Sequence, residues 1–572
     1  MTVVVTAGHV DHGKSSLVLA LTGTDPDRFE EEKRRGLTID LGFAHTVLPS
    51  GTELSFIDVP GHVKFLRNML AGVGGVNACV FVVAATEGWK PQSEEHLRIL
   101  ELLGVEFGIV ALTKVDLVDD DLLELAQMDI VDHVEGTFLE NAPVVPVAAT
   151  AGEGIDEMRA AIDTLVERSG AVADRGRPRL WIDRVFAAKG SGTIVTGTLV
   201  GGAMVSDSSM HVVPLDRDIR IRSIQTAGST VERIGPGNRV ALNLSGTDHH
   251  ELSRGDAVIE PDRWHLTDRV DASLDVLASL DHEVSRRGAF VAYFGSGEHP
   301  VKLRVLGTES LAPGTTGAVR LFLPAELPLL PGDRYILRES GRDETVGGGE
   351  ILDIAPVVRA SRAAPDRSVD RVVRERGWIR ADELERLTGE VVEPSLGDWV
   401  TTPEALADTV RAVVERVVEA GDAGVDLAVF DERERAAIES SDEIVVETGL
   451  VLPADAVDPY VDHPFLDELL AGGFTPPAPD DVDRNDIREL ARRGHIVQRD
   501  GIVFHTATID AAADVAADLL QQFPDGFTVA AFRDVTGASR KYVLPLVSEL
   551  DSRGITRRRD DVRIGGPRLP AR

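Results

Sequence analysis

Gly8-His9-Val10-Asp11-His12-Gly13-Lys14-Ser15 stands between the apolar run Thr2 to Thr6 and the helix-like run SSLVLALTG. It fits the pattern G-x-x-x-x-G-K-[ST] in the strand, loop and helix setting that the pattern requires. The glycines let backbone N–H groups wrap around a β-phosphate, and the start of a helix adds positive potential. Lys14 then reaches the β- and γ-phosphates, and the Ser15 hydroxyl is a ligand for Mg²⁺. The first candidate nucleotide-binding residues are therefore Gly8, His9, Val10, Asp11, His12, Gly13, Lys14, Ser15 and Ser16. His9 and His12 are read as solvated or loop-structuring, because no cysteine and no carboxylate cluster lies near them in sequence.

Further strand-length apolar runs follow at Leu54 to Asp58, Ala78 to Ala84, Phe107 to Thr113 and Val144 to Ala148, alternating with helical stretches. Continuous apolar runs spaced by helices predict a parallel sheet covered on both faces, an α/β P-loop domain. Two of these runs end in polar residues suited to a nucleotide. At Asp58-Val59-Pro60-Gly61-His62 a strand-end carboxylate could hold Mg²⁺ through water, and the Gly61 N–H could sense a γ-phosphate. Taken alone, Asp58 is better explained as a buried cap on a turn. At Thr113-Lys114-Val115-Asp116, a carboxylate accepting from N1–H and N2–H of guanine rejects adenine, which makes Asp116 the base-specificity residue. Three such elements in the right order, each at a strand end, predict a GTPase domain.

The chain has 572 residues, roughly four domains' worth at about 150 residues each. Its 60 basic and 95 acidic residues leave a net charge of −35, so nucleic acid can be met only through a local basic patch. With one cysteine, Cys79, there is neither an internal disulfide nor a cysteine-built metal site. No apolar stretch approaches 18 residues, and a soluble, cytoplasmic protein without membrane contact, acting as a monomer, is expected.

Beyond the first domain (1–170), the linker Ser169 to Arg177 leads to short β-branched segments broken by Gly and Pro as far as Asp353. These predict two all-β domains, β-barrel domains or sandwiches, at 175–264 and 265–356. A second linker, Val357 to Asp366, precedes helices closed by a Gly, a short strand and a charged tip, as in DIRELARRGHIVQRDGIVF from Asp486. These predict α+β tandem winged-helix domains, divided as 366–454 (units one and two), 455–510 (unit three) and 511–572 (unit four). Residues 401–450 carry 13 acidic and 4 basic side chains, whereas 537–572 carry nine basic and four acidic. Arg540 and Lys541 fall at the start of a predicted recognition helix and Arg557, Arg558 and Arg559 on a wing, so these five residues are the local basic patch through which nucleic acid can be met.

GHVDHGKS, the RRGLTID stretch from Arg34, DVPGH, TKVD and Ala148-Ala149-Thr150 together resemble the five nucleotide-binding motifs of the translational GTPases. The resemblance implies that Thr38 joins Ser15 and Asp58 on Mg²⁺ and that His62 orients the attacking water with support from Asp11. It also implies an apolar gate of Val10 and Ile39 beside His62, and base contacts from Thr113, Lys114, Asp116, Ala148, Ala149 and Thr150. Most of these GTPases carry Asn where Thr113 stands, and the exchange predicts weaker nucleotide binding; Thr here resembles the selenocysteine-specific branch. RLWIDRVFAAKGSGTIVTGTLV from Arg179, GNRVALNL from Gly237, PGDRYILR, TVGGGEILD and the stretch from Thr528 resemble that branch as well. It implies GTP/GDP and Mg²⁺ as cofactors, selenocysteyl-tRNA, an mRNA hairpin (SECIS) and the ribosome as partners, and GTP hydrolysis stimulated by the ribosome. It implies further that Asp183 takes the α-amino group while Arg184 and Arg239 contact the selenolate. From the residues alone, Asp183 and Arg184 read instead as an ordinary strand-end ion pair. Three other readings stand beside this one: an RNA adaptor using GTP as a latch, a GTPase subunit of a metabolic, sulfate-activating complex, and a DNA-binding regulator.

Overall fold

The computed structural model describes residues 2–27, 30–35, 38–62, 68–70, 75–170, 172–188 and 192–570. Gly36 and Leu37 of the RRGLTID stretch, position 171 of the first linker, and Lys189 to Ser191 lie outside them. The chain divides into two compact units, Met1–Glu393 and Pro394–Arg572.

The first unit begins with a six-stranded sheet. Its strands are β1 (Thr2–Ala7), β2 (Gly42–Val47), β3 (Glu53–Asp58), β4 (Ala78–Ala84), β5 (Phe107–Thr113) and β6 (Val144–Val147), in the order β2-β3-β1-β4-β5-β6. All pairs are parallel except β2 with β3. Every residue of β4 is buried, Cys79 included, as expected for a strand covered on both faces. The antiparallel edge strand β2 did not stand out in the sequence, because GFAHTV mixes buried and exposed positions without a continuous apolar run. The chain leaves β1 toward β3 and crosses back to β4, so the loop after β1 opens at the point where strand order reverses, the usual ligand position in such sheets.

Two closed six-stranded barrels follow. In the first, Ser209–Val213, Ala257–Ile259, Arg179–Trp181, Gly192–Val200, Asn238–Ser245 and Arg217–Thr226 form a ring that closes between the last and the first. Alternation along Asn238–Ser245 sends Val240, Leu242 and Leu244 inward and leaves the other face for polar groups. The second barrel runs Thr267–Val276, Thr316–Leu327, Gly297–Leu306, Phe290–Phe294, Arg334–Glu339 and Glu344–Asp353.

The second unit repeats a pattern of helices followed by a hairpin. Its last repeat packs Thr506–Gln522, Val529–Thr536 and Arg540–Ser552 around Phe527, Phe532, Leu546 and Leu550, and adds the hairpin Thr556–Arg559 with Val562–Gly565. Three helices with a short sheet of this kind form a winged helix. No described helix is long and apolar enough to cross a membrane.

Candidate functional site

The loop Gly8–Gly13 joins β1 to helix α1 (Lys14–Thr22). Gly8 has φ 132°, and a Cβ there would stand 2.2 Å from the Val82 carbonyl oxygen, so only glycine fits. Gly61 lies equally tight: a Cβ would meet Lys14 Nζ at 2.4 Å and Val10 N at 2.6 Å. The DVPGH segment is thereby pressed against the phosphate loop, with His62 half-buried beside it. Val10 and Ile39 are half-buried too, while Asp11 is exposed in a left-handed conformation with φ 61°.

Lys14 is buried and donates from Nζ to the carbonyl oxygens of Gly8 (3.0 Å) and His9 (2.7 Å). Burial lowers its pKa to about 8 against the opposing charges of Asp58, Asp11 and Asp27. A residue that sequence reasoning missed also holds this loop. His96, in helix Pro91–Leu102, accepts the Gly8 N–H on Nδ1 at 3.1 Å, and burial lowers its pKa to about 3. A lone histidine inside QSEEHLRIL carries no motif that would reveal it. His12 is fully buried, with Nδ1 3.3 Å from the Val82 carbonyl and its pKa lowered by burial to about 4. One ligand atom from each of His9, His12 and Glu87 lies within 4.8 Å of the others. Glu87, however, already pairs with Lys114 at 3.4 Å. Burial lowers the pKa of His9; the charge of Glu87 opposes this, and Lys14 and Lys90 add to it. Of the two, His12 ties its ring to β4 through the Val82 carbonyl.

Ser15, Thr38 and Asp58 come together as a cluster of oxygens. The Ser15 hydroxyl donates to Asp58 Oδ2 at 2.7 Å and lies 2.9 Å from Thr38 Oγ1, and the Thr6 hydroxyl donates to Asp58 Oδ1 at 2.6 Å. Asp27 completes the group, accepting from Thr38 Oγ1 at 2.9 Å. The sequence did not single it out among the acidic residues of TDPDRFEEEK. Burial raises the pKa of Asp58, and raises that of Asp27 to about 6. Hydroxyls and carboxylates without nitrogen or sulfur make a donor set suited to a hard divalent cation such as Mg²⁺.

At the end of β5, the Thr113 hydroxyl donates to the His12 carbonyl at 2.6 Å. Threonine at this position braces the phosphate loop. Lys114 turns the chain with φ 58°, and Asp116 stands exposed in the 3₁₀ turn Val115–Leu117. Ala148, Ala149 and Thr150 form the turn after β6, held by Ala148 N–H to the Glu153 carbonyl at 3.0 Å.

A second polar cluster lies on the first barrel. Asp183 precedes the strand Arg184–Ala188, which pairs with Gly192–Val200 in a register that sets Arg184 opposite Thr196. On the other side Arg239 stands opposite Thr198. Asp183 is 5% exposed and takes a bidentate pair from Arg239, Nη1 to Oδ2 at 2.5 Å and Nη2 to Oδ1 at 2.9 Å. Thr196, not singled out by the sequence, donates to Asp183 Oδ1 at 2.7 Å. The ion pair that sequence alone suggested between Asp183 and Arg184 is not the one formed. Arg184 donates instead to the Leu41 carbonyl and lies 4.0 Å from Asp40. The guanidinium groups of Arg184 and Arg239 rest on the Phe43 ring, 4.2 and 3.4 Å from its centroid.

In the second unit, Arg540 and Lys541 are exposed on the first turn of Arg540–Ser552. Arg557, Arg558 and Arg559 are exposed along Thr556–Arg559, next to the Asp560-Asp561 turn. The hairpin is pinned from behind by Asp551, which accepts from Thr556 at 2.6 Å and from Arg563 at 3.0 Å.

Comparison with known proteins agrees with both ends of the chain. Residues 1–168 match the elongation factor Tu GTP binding domain, and residues 518–564 match the winged helix of elongation factor SelB. A selenocysteine-specific elongation factor of Desulfomicrobium baculatum is 41% identical over 351 residues, which cover 61% of this chain and 55% of that protein. The Escherichia coli protein of the same name is 35% identical over 361 residues, 63% of this chain and 56% of that one. The chain thus spans little more than half the length of these curated relatives. The crystal structure of a bacterial selenocysteine-specific elongation factor, EF-Sec, shares the fold over 99% of both chains, with a TM-score of 0.73 and 24% identity. With its nucleotide-binding domain, two barrels and a winged helix, the chain is similar in sequence over part of its length, and in fold over nearly all of it, to the selenocysteine-specific elongation factors.

Proposed function

We propose that this protein is a GTP-dependent factor that carries selenocysteyl-tRNA to the ribosome at UGA codons and grips an mRNA hairpin through its last winged helix, in the cytosol. The observation that carries the reading is the occurrence in one chain of a phosphate loop and a buried carboxylate flanked by two guanidinium groups, Asp183 with Arg239 and Arg184. A selenol ionises well below a thiol, so such a cargo presents an anion at neutral pH. Two guanidinium groups favour that anion over a neutral seryl group, and Asp183 matches the α-amino group beside it. The six-part division of the chain given by the sequence is kept as part of this reading.

At the nucleotide site, backbone N–H groups of Gly8 to Gly13 and Lys14 receive the phosphates, and Asp116 reads guanine. Ser15, Thr38 and Asp58, with Asp27 behind Thr38, are the residues that hold Mg²⁺. When bound, the cation neutralises charge on the β- and γ-phosphates. His62 orients the attacking water, Asp11 supports that geometry, and the half-buried Val10 and Ile39 limit access to it. Such catalysis is positioning and electrostatics rather than covalent chemistry. In the second unit, the exposed Arg540, Lys541, Arg557, Arg558 and Arg559 meet phosphates and splayed bases of the hairpin.

The test is protection of the aminoacyl ester. In the presence of GTP the protein should slow hydrolysis of selenocysteyl-tRNA and leave seryl-tRNA on the same tRNA unprotected. Equal protection of both, or of neither, rejects the reading.

A further inference from the structure

The pocket on the first barrel does not stand by itself. Arg254, from the loop before strand Ala257–Ile259, donates Nε–H to the Asp183 carbonyl at 2.9 Å, Nη1–H to Asn68 Oδ1 at 2.8 Å and Nη2–H to Asp40 Oδ1 at 2.9 Å. One guanidinium thus joins the backbone of the pocket aspartate to two segments of the nucleotide-binding domain. Asn68 turns its other amide atom onto the Ile39 carbonyl at 2.7 Å, so its orientation is fixed from both sides. Ile39 and Asp40 directly follow Thr38, whose hydroxyl lies 2.9 Å from Ser15 Oγ in the phosphate-loop helix. The same short segment supplies the Leu41 carbonyl to Arg184 and the Phe43 ring to both Arg184 and Arg239.

We propose that Arg254 is a positioning residue that makes occupancy of the Asp183–Arg239 pocket depend on the nucleotide held at Ser15 and Thr38. This rests on the function proposed above. Only Ile39 separates Thr38 from Asp40, a reach of about 7 Å of extended chain, so Thr38 cannot move far without disturbing the bond from Asp40 to Arg254. Arg254 is 30% exposed and Asp40 20%, so the pair is partly shielded from solvent. When Asp40 and Asn68 hold two arms of the fork, the third fixes the Asp183 carbonyl and, through it, the carboxylate that pairs with Arg239. When Thr38 leaves Ser15, those two anchors move and the third is no longer constrained. A planar five-donor fork suits a three-way junction that an ammonium cannot span.

The experiment uses the full chain and labelled selenocysteyl-tRNA. Its Kd is measured with a non-hydrolysable GTP analogue and with GDP, for wild type, Arg254→Ala, Arg254→Lys and Asp40→Asn. Affinity for a fluorescent GTP analogue is measured on the same proteins without tRNA. The ratio of the two tRNA affinities should fall about tenfold or more in Arg254→Ala and Asp40→Asn, within the usual range of coupling between sites. Nucleotide affinity without tRNA should stay within about threefold, and by reciprocity the effect of tRNA on the preference for the GTP analogue over GDP should shrink by the same factor. Arg254→Lys, which keeps the charge but not the fork, should stay low, and thermal unfolding identifies any variant that fails to fold. A wild-type ratio in Asp40→Asn and the folded Arg254 variants overturns the coupling, as does an equal loss in both nucleotide states. A wild-type chain that binds no selenocysteyl-tRNA in either state overturns the proposed function itself.

Discussion

The phosphate loop and the Asp183 cluster both place charged groups where water is scarce, but they are built in different ways. The loop is one contiguous octapeptide whose donors are backbone N–H groups, and its partners Thr113, His96 and Gly61 serve to hold that backbone still. The Asp183 cluster draws Asp183, Thr196, Arg239 and Arg254 from four separate strands or loops and Phe43 from another domain. A backbone-built site is written locally and can be read from spacing. A side-chain-built site exists only once the barrel register has brought its members together.

That contrast sets the size of the effects to expect. At the loop's end, Asp116→Asn should replace the acceptor for guanine N1–H and N2–H with an amide that cannot accept from both. The loss in GTP affinity should be on the order of 10⁴-fold, as when a site built for a hydrogen bond meets the wrong partner. Xanthosine triphosphate should bind better to the variant than GTP in a competition assay. A variant that keeps its GTP preference would place base recognition elsewhere.

At the cluster, Asp183→Asn should act on stability as well as on cargo. It leaves Arg239, 12% exposed, without its bidentate partner. Breaking a buried pair from one side costs about 3–5 kcal/mol, read as a shift in the denaturant midpoint. Because Arg239 also rests on Phe43, part of that cost should return when Arg239→Met is added, and a double variant no better than the single would show that the ring contact dominates.

A smaller effect is expected of His96→Phe, which keeps a planar ring but removes the acceptor for Gly8 N–H. An orphaned buried N–H costs about 1–3 kcal/mol, and the loss should appear both in stability and in nucleotide affinity. Unaltered nucleotide binding would mean the loop does not depend on the α/β core behind it.

The legible parts of the molecule follow the same division. Buried parallel strands show as runs such as Ala78-Cys79-Val80-Phe81-Val82-Val83-Ala84, and the motifs at their ends keep fixed spacing. Edge strand β2 was not legible because one side faces solvent and its sequence alternates only in part. Asp27 was hidden among five neighbouring carboxylates from Asp25 to Glu32, and only the fold selects the one that meets Thr38. The Asp183–Arg239 pair spans 56 positions, and Arg254 is 71 from Asp183, so neither contact leaves a local pattern. For Thr113 the sequence gives the exchange but not the contact, because its partner is a carbonyl 101 residues earlier.

The wing of the last repeat is the region where stability and binding should separate most cleanly. Arg557 and Arg558 are exposed, and the hairpin that carries them is held by Asp551 with Thr556 and Arg563 rather than by its own tip. Replacing both with Ala should therefore change unfolding free energy by no more than about 0.5 kcal/mol, as for surface positions generally. It should nonetheless remove two phosphate-facing charges, so hairpin RNA affinity should fall and the slope of log affinity against log salt should flatten by roughly 1 to 2. GTP hydrolysis should be unchanged. A loss of stability comparable to that of Asp183→Asn would mean that the arginines support the wing. An unchanged salt slope would move the RNA contact to Arg540 and Lys541 at the head of the preceding helix, where the same substitution pair can be tested against the same hairpin.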